Sequence, residues 1–458
     1  PRSTLFPYTT LFRSGSWIGV LRRKILDTLR EWKGSHGTEC LLVNGARQVG
    51  KSFAIEAFGR AEYESYIAID FVRQPALKGI FGESLTPDDM YSRMTLLMPN
   101  VRLVPGNTLI FIDEIQECPE ARSAFKYLAQ DGRFDVIGSG SLLGIRFRTL
   151  RDAPSLPVGY ERQLTLRPLD FEEFLWARGY TPESIVSLRG FYERMEPVPQ
   201  SIHREMMRQL REYLAIGGMP AVVQSFVDGA GDFGAAHSQQ LMLHALYLDD
   251  IARYASVSER IKARACYLSL TRQLAKENTR FRYAEVERRS SARKYESSVD
   301  WLVEANMALR CNAVTTPSFP LASYEDGSRF RLYANDTGLL MAMFDFSMKA
   351  AVVENTLKGP MKGGLYENLI AGMLSQKNKP LRYWMSKDSK REIEFLADLD
   401  GCVVPIEVKA SRGSTVSLNQ LLEDDDVNIG YKFIDGNVGV NGKKVNYQIG
   451  RASCRERV

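Results

Sequence analysis

Eight residues, Gly45-Ala46-Arg47-Gln48-Val49-Gly50-Lys51-Ser52, fit the pattern G-x-x-x-x-G-K-[ST], whose spacing suits it to cradling a polyphosphate. The glycines let backbone N–H groups approach phosphate oxygens. Lys51 brings a positive charge toward the β and γ phosphates, and the Ser52 hydroxyl is a ligand for Mg²⁺. All eight residues are therefore candidates for binding ATP. Sixty-odd residues on, Asp113 and Glu114 supply the acids such a site needs. Asp113 is the partner of Ser52 in holding Mg²⁺, and Glu114 is the base that polarises the attacking water. Lys51 and Glu114 then form the catalytic pair of a phosphoryl transfer driven by positioning and charge. Ser139, in Gly138-Ser139-Gly140-Ser141, is a candidate γ-phosphate sensor, a plain strand-to-turn exit being the alternative. Arg146, Arg148, Arg151 and Arg162 each offer a cation for the transition state, and the sequence does not choose among them or against an ordinary surface role.

These residues need a frame, and their neighbours supply it. Cys40-Leu41-Leu42-Val43 reads as a buried strand, and Phe53-Ala54-Ile55-Glu56-Ala57-Phe58 as the first turns of a helix, so the loop opens a helix N-terminus. Leu109-Ile110-Phe111-Ile112 predicts a second buried strand that delivers Asp113 and Glu114 to the carboxyl edge of a parallel sheet, and Phe134 to Ile137 a third that delivers Ser139.

A second constellation lies near the C-terminus. Val403 to Ala410 alternates at period two, placing Glu407 and Lys409 on one face of a strand. Glu392 to Ala397 alternates likewise and carries Glu394, with Asp398 to Gly401 as the connecting turn. Glu367 falls on a predicted helix. Glu367, Glu394, Glu407 and Lys409 together match the acid, acid, E-x-K arrangement of restriction-endonuclease-like nucleases, in which the acids hold Mg²⁺ and the lysine steadies water and phosphate. A degenerate nuclease fold kept for binding or assembly is the alternative.

Between the two sites, Arg253 to Lys294 holds twelve basic residues against four acidic ones. Helical patterns at 263–277, 282–288 and 292–306, followed by candidate strands at 309–314 and 330–333, predict a winged helix-turn-helix. Ser290, Arg293, Lys294 and Tyr295 would begin its recognition helix, with Arg293 and Lys294 as candidate contacts to nucleic acid. A solvated basic face is the alternative. From Pro168 to about Ala255 the pattern is helical, broken at Gly217-Gly218-Met219-Pro220.

The chain has 458 residues, but Pro1 to Ser14 reads as the translation of a short-read sequencing adapter and Ile449 to Val458 as that of its reverse complement. Both are expected to be foreign to the fold, and the natural chain to extend beyond Gly15 and Gln448. These ends carry four units of the formal net charge of +5, leaving +1, so global charge gives no argument for a nucleic-acid partner. The remaining length predicts two to four domains. Cys40, Cys118, Cys266, Cys311 and Cys402 have neither metal nor disulfide spacing, and the four histidines form no ligand cluster, so a reducing cytoplasm is expected. No apolar run is long enough to span a membrane.

The string from Gly45 to Ser52, the Ile112-Asp113-Glu114-Ile115-Gln116 segment, Gly138 to Ser141, and Pro157-Val158-Gly159 leading to Arg167-Pro168-Leu169-Asp170-Phe171-Glu172-Glu173-Phe174-Leu175 together resemble the prokaryotic AAA-type ATP-binding proteins. More narrowly, they resemble the group with a C-terminal domain of unknown function related to restriction endonucleases. The resemblance implies a P-loop NTPase core of α/β class in which one further strand separates the loop strand from the Asp-Glu strand. The expected order is a P-loop core at 15–166, a helical lid or linker at 167–255, a winged-helix-like domain at 256–345 and a restriction-endonuclease-like α/β domain at 346–448. The function expected is Mg²⁺-dependent ATP hydrolysis coupled to a DNA-binding or nuclease-like module. The alternatives are a non-catalytic nucleotide-dependent switch or scaffold that binds a protein partner or DNA and keeps a degenerate nuclease fold, and a DNA-binding regulator whose assembly ATP controls; a protein partner or self-association is a further expectation.

Overall fold

The computed structural model describes residues 21–34, 39–140, 157–254, 257–275, 280–386, 388, 391–409, 415–424 and 427–448. Arg146, Arg148, Arg151 and both adapter-like ends lie outside them. The chain divides between Arg167 and Pro168 into two compact units.

The first unit is built on five parallel strands, β1 (Cys40–Asn44), β2 (Ser65–Asp70), β3 (Thr108–Asp113), β4 (Asp135–Ser139) and β5 (Glu161–Thr165), in the order β2-β3-β4-β1-β5. β1 is buried along its whole length, and so is β3 up to Asp113. Such continuous apolar runs suit a parallel sheet covered on both faces. Ile67, Ile69, Ile110, Ile112 and Val136 form its core with Met90, Phe125 and Leu128 of the flanking helices. β4 lies between the loop strand β1 and the acid-bearing β3, the one-strand separation that the family resemblance implies. β1, β3 and β4 thereby present Gly45, Asp113 and Ser139 at one edge, their shared carboxyl end.

The second unit begins with helices. Asp170 caps Phe171–Ala177 through a capping box with Glu173, and the helix Gln200–Ile216 stops at the Gly-Gly-Met-Pro break, with the next starting at Pro220. After Phe233–Tyr254 come Val257–Leu274, Tyr283–Val286 and Ala292–Glu304. A mixed eight-stranded sheet follows: β6 (Ala308–Val314), β7 (Glu325–Ala334), β8 (Leu381–Met385), β9 (Glu392–Leu399), β10 (Cys402–Lys409), β11 (Gly430–Ile434), β12 (Gly439–Asn441) and β13 (Lys444–Gln448). Their order is β12-β13-β11-β10-β9-β8-β6-β7.

The antiparallel β6–β7 pair is where the sequence places a wing, but β6 also pairs in parallel with β8. Both edges of β6 are thus hydrogen-bonded, and the sheet continues across position 345. The β9–β10 turn is tighter than the sequence predicts. Only Asp400 (φ 50) and Gly401 (φ 80) form it, both left-handed, as a two-residue hairpin turn of type I′ requires. Among the described residues no helix is long and apolar enough to cross a membrane.

Candidate functional site

The phosphate loop leaves β1 at a point with no room for a side chain. Gly45 has φ 147, and a Cβ there would lie 2.2 Å from the carbonyl oxygen of Leu166. The loop is anchored on that side by Leu166 N–H donating to Asn44 O at 2.8 Å and Thr165 Oγ1 donating to Asn44 Oδ1 at 2.6 Å. Gly50, with φ 88, is the left-handed N-cap of the helix Lys51–Glu62. The N–H groups of that first turn have no partner within the helix and point with its dipole toward an incoming anion. Buried Arg23 fastens the outside of the loop, donating from Nη1 to Val49 O at 3.0 Å and from Nη2 to Arg167 O at 2.7 Å. Sequence patterning missed Arg23, because no motif spacing links it to the loop.

Lys51 Nζ donates to Gly45 O at 3.1 Å and Ala46 O at 2.9 Å. Two neutral carbonyls do little to offset the loss of water, and burial pushes its pKa down to about 8. A triphosphate would supply the missing negative charge. Ser52 Oγ donates to Asp113 Oδ2 at 2.8 Å, and Ser139 Oγ donates to Asp113 Oδ1. The structure thus brings Lys51, Ser52, Asp113 and Ser139 to one sheet edge, as the motif spacing predicts. Ser52 and Asp113 offer hard oxygen donors, which fits Mg²⁺: that ion commonly takes one or two protein oxygens and completes its shell with phosphate and water.

Glu114 follows Asp113 in the left-handed conformation, φ 49. Its carboxylate Oε2 accepts from Gln116 Nε2. Gln116 lies in the segment that carries the family resemblance, yet its type and position alone assign it no role. Arg162, on β5, pairs with Glu39 at 3.9 Å at the surface.

The C-terminal constellation also assembles, but in a different state. Lys409 Nζ donates to Glu394 Oε1 at 2.7 Å and stands 3.7 Å from Glu407 Oε1, while Val408 N–H donates to Glu394 Oε2 at 3.2 Å. Glu367, on the helix Gly359–Ser375, accepts from Tyr333 Oη at 3.1 Å and from Arg331 Nη1 at 3.4 Å. Arg331 is fully buried, also reaches Glu392 at 2.9 Å, and lies over the Tyr383 ring at 4.3 Å. The alternation of β10 leads one to expect a face with Glu407 open to ligand. Instead Glu407 is 1% exposed and Glu394 2%, in a strand pair on which the helices Gly359–Ser375 and Val416–Leu421 both pack. Burial pushes the Glu407 carboxyl up to about 7, only partly opposed by Lys409, and Glu367 up to about 7 against the pull of Arg331. Among the described residues no group of three or more His, Cys, Asp or Glu is arranged to hold a metal ion. Arg331 had a readable signal, since Arg331 and Tyr333 share one face of β7 at period two.

In the basic segment Arg293 is exposed. Lys294 Nζ and Tyr295 Oη both donate to Glu287, whose carboxyl they hold below the usual range, and Tyr295 is buried. Ser290 Oγ donates to Tyr283 O. Of the four residues expected to open a recognition helix, Arg293 alone presents a side chain that no such bond engages.

Comparison with known proteins agrees with the first unit's geometry. Residues 37–175 match the family model described as AAA domain. This stretch is therefore similar to AAA domains. Residues 207–350 match a domain of unknown function (DUF8612) and residues 362–454 another (DUF4143). Among solved structures, the Walker-type ATPase of Pyrococcus abyssi aligns over 71% of this chain and 96% of its own, at 16% identity and TM-score 0.43. The ORC2 protein of Aeropyrum pernix, solved as ADPNP–ADP complexes, aligns over 73% of this chain and 93% of its own, at 12% identity and TM-score 0.34. No curated protein matches the sequence.

Proposed function

We propose that the protein is a Mg²⁺-dependent ATP hydrolase whose nucleotide state is coupled to its C-terminal module, and that this module binds, rather than cuts, its target. The observation that carries the first part is Asp113, bonded at once to Ser52 of the phosphate loop and to Ser139 at the end of the neighbouring strand. Mg²⁺ would be held by Ser52 and Asp113 and would neutralise charge on the β and γ phosphates. Gly45 to Ser52 bind the phosphates, Lys51 stabilises the charge moving onto them, Ser139 reads whether the γ-phosphate is present, and Glu114 takes the proton of the attacking water. Five cysteines free of disulfides among the described residues fit a cytoplasmic setting.

For the C-terminal module, the reading without cutting is favoured by the engagement of both Glu394 oxygens, one with Lys409 and the other with the Val408 amide. A restriction-endonuclease-like ancestry accounts for the residue set, with Glu367, Glu394, Glu407 and Lys409 retained as a neutralised network. DNA, contacted through Arg293 and through Lys294 once it exchanges Glu287 for phosphate, both in a winged-helix-like segment, is the partner that the basic stretch best fits, with a protein or a second copy of this chain as the alternative occupant.

Two variants of the full chain test the ATPase reading. Lys51→Ala is expected to lower ATP affinity at least about 100-fold, and Glu114→Gln to keep affinity while lowering turnover about 100- to 1,000-fold. Unchanged affinity in a folded Lys51→Ala protein would remove the nucleotide site, and unchanged turnover in Glu114→Gln would remove Glu114 as the base. Mg²⁺- or Mn²⁺-dependent DNA cleavage that disappears in Lys409→Ala would restore the nuclease.

A further inference from the structure

We propose that Gln116 is a positioning residue for ATP hydrolysis, fixing one oxygen of the Glu114 carboxylate so that the other is presented to the attacking water. The inference rests on the ATPase reading above and extends it to a residue outside the phosphate loop and the Asp-Glu pair.

Residues two apart do not face each other in a regular helix, so the contact has to be built. Glu114 supplies the first part by adopting φ 49, which a glutamate does not take without cost. The second part is the 3-10 turn Ile115–Glu117, closed by Glu117 N–H donating to Glu114 O at 2.8 Å and Cys118 N–H donating to Ile115 O at 3.1 Å. Together they fold the side chain of Gln116 back onto Glu114, where Nε2 donates to Oε2.

The surroundings of Gln116 argue that the contact is not there for stability. The residue is 5% exposed, and its own Oε1 is buried without a hydrogen-bond partner. An amide used only to fill space is a poor choice at such a position, because an apolar side chain of the same size would leave no buried acceptor unmet. What the amide supplies and an apolar side chain would not is a fixed N–H donor to the general base. A base that rotates freely spends part of its time turned from the water, and small misplacements of this kind are costly in rate.

In the step itself the water oxygen forms a bond to the γ-phosphorus, and the bond from that phosphorus to the β–γ bridging oxygen breaks, its electron pair staying on ADP. The water proton passes to Glu114 and from there to solvent. Gln116 exchanges neither proton nor electrons.

Gln116→Met tests this in the full chain, since it keeps the volume and removes the amide. The expected result is a kcat about 10- to 100-fold lower, with KM and the affinity for a non-hydrolysable ATP analogue within about threefold of the native protein, and an unchanged or higher Tm. Gln116→Glu sets a second carboxyl against Glu114, and the acid limb of its kcat–pH profile is expected to move up by about one unit or more. A kcat within threefold of native in Gln116→Met, or a pH profile unmoved in Gln116→Glu, overturns the inference while leaving the ATPase reading intact. A loss of analogue affinity that parallels the loss of kcat also overturns it, by making Gln116 part of the loop's support. Native protein that binds ATP and turns none over removes the ATPase reading and this inference with it.

Discussion

The two carboxylate sites of this chain are built from similar residues and balanced in opposite ways. At the phosphate loop, Asp113 is bonded to two neutral hydroxyls, Ser52 and Ser139, and Lys51 to two neutral carbonyls. Acid and base are close enough to feel one another, yet among the described residues neither forms an ion pair. In the C-terminal sheet, Lys409 lies between Glu394 and Glu407, and Arg331 between Glu367 and Glu392. A site that awaits charged ligands leaves its own charges under-compensated, and on the ATPase reading phosphate and Mg²⁺ would complete the balance. A site that has neutralised itself gains nothing from a metal ion. The contrast therefore lies less in residue type than in what each charge already touches.

The largest effect expected from that contrast is at Arg331. Its guanidinium is fully buried and compensates two acids, so Arg331→Leu takes this counter-charge from the buried Glu367 and from the partly exposed Glu392. Breaking a buried pair from one side costs about 3–5 kcal/mol, whereas removing both partners is nearly neutral. Arg331→Leu is thus expected to lower the denaturation midpoint of the C-terminal unit severely, and the double change Arg331→Leu with Glu367→Leu to recover much of the loss. A single variant that unfolds like the native protein would mean that the network is not what balances this site.

How far the sequence discloses each site follows from the same difference. The phosphate loop is legible because its chemistry acts through neighbours in sequence: two glycines at fixed spacing, a lysine and a hydroxyl at the start of a helix. Asp113 and Glu114 are legible because an apolar run must end where they begin. Arg23 is not, since it holds the loop through hydrogen bonds to carbonyls that any buried donor could make. In the second unit, local patterns predict β9, β10 and the helix carrying Glu367. They do not reveal that Glu407 is buried, because alternation reports which residues share a face and not what covers it. The pairing of β6 with β8 is hidden for a similar reason: the partners are about seventy residues apart, and strand propensity carries no information about partner choice.

A smaller effect is expected at Glu407. Its carboxyl is pushed up to about 7 in the folded protein from an ordinary value of 4.5, so between those values the folded state holds a proton that the unfolded state has released. Stability from this group therefore falls as pH rises from about 4.5 to about 7 and is level above. Glu407→Gln removes the cost of the buried charge and is expected to stabilise the protein by about 1–3 kcal/mol at pH 8 and by almost nothing at pH 4. Melting curves across that range decide the matter. Destabilisation at pH 8 would show that Lys409 needs the charge of Glu407 as well as that of Glu394, so that an ion pair rather than a retained proton neutralises Glu407.

The smallest effect is in the first site and is read through ligand affinity. Lys51 without nucleotide is pushed down to about 8, while phosphates favour its charged form. Above pH 8 binding must therefore take up a proton, and the affinity for a non-hydrolysable ATP analogue is expected to fall by up to about tenfold per pH unit between roughly 8 and 9.5, and to be flat in this respect below 8. Calorimetry in two buffers of different ionisation heat measures the proton directly. Lys51→Arg, whose charge does not titrate in this range, should show no uptake, although its fork fits the loop less well. Affinity in the native protein that stays flat to pH 9.5, with no proton taken up, would mean that Lys51 is already fully charged beneath its two carbonyls. The loop would then be compensated before the nucleotide arrives, as the C-terminal site is, and the distinction between a charge left waiting and a charge already satisfied would no longer separate the two.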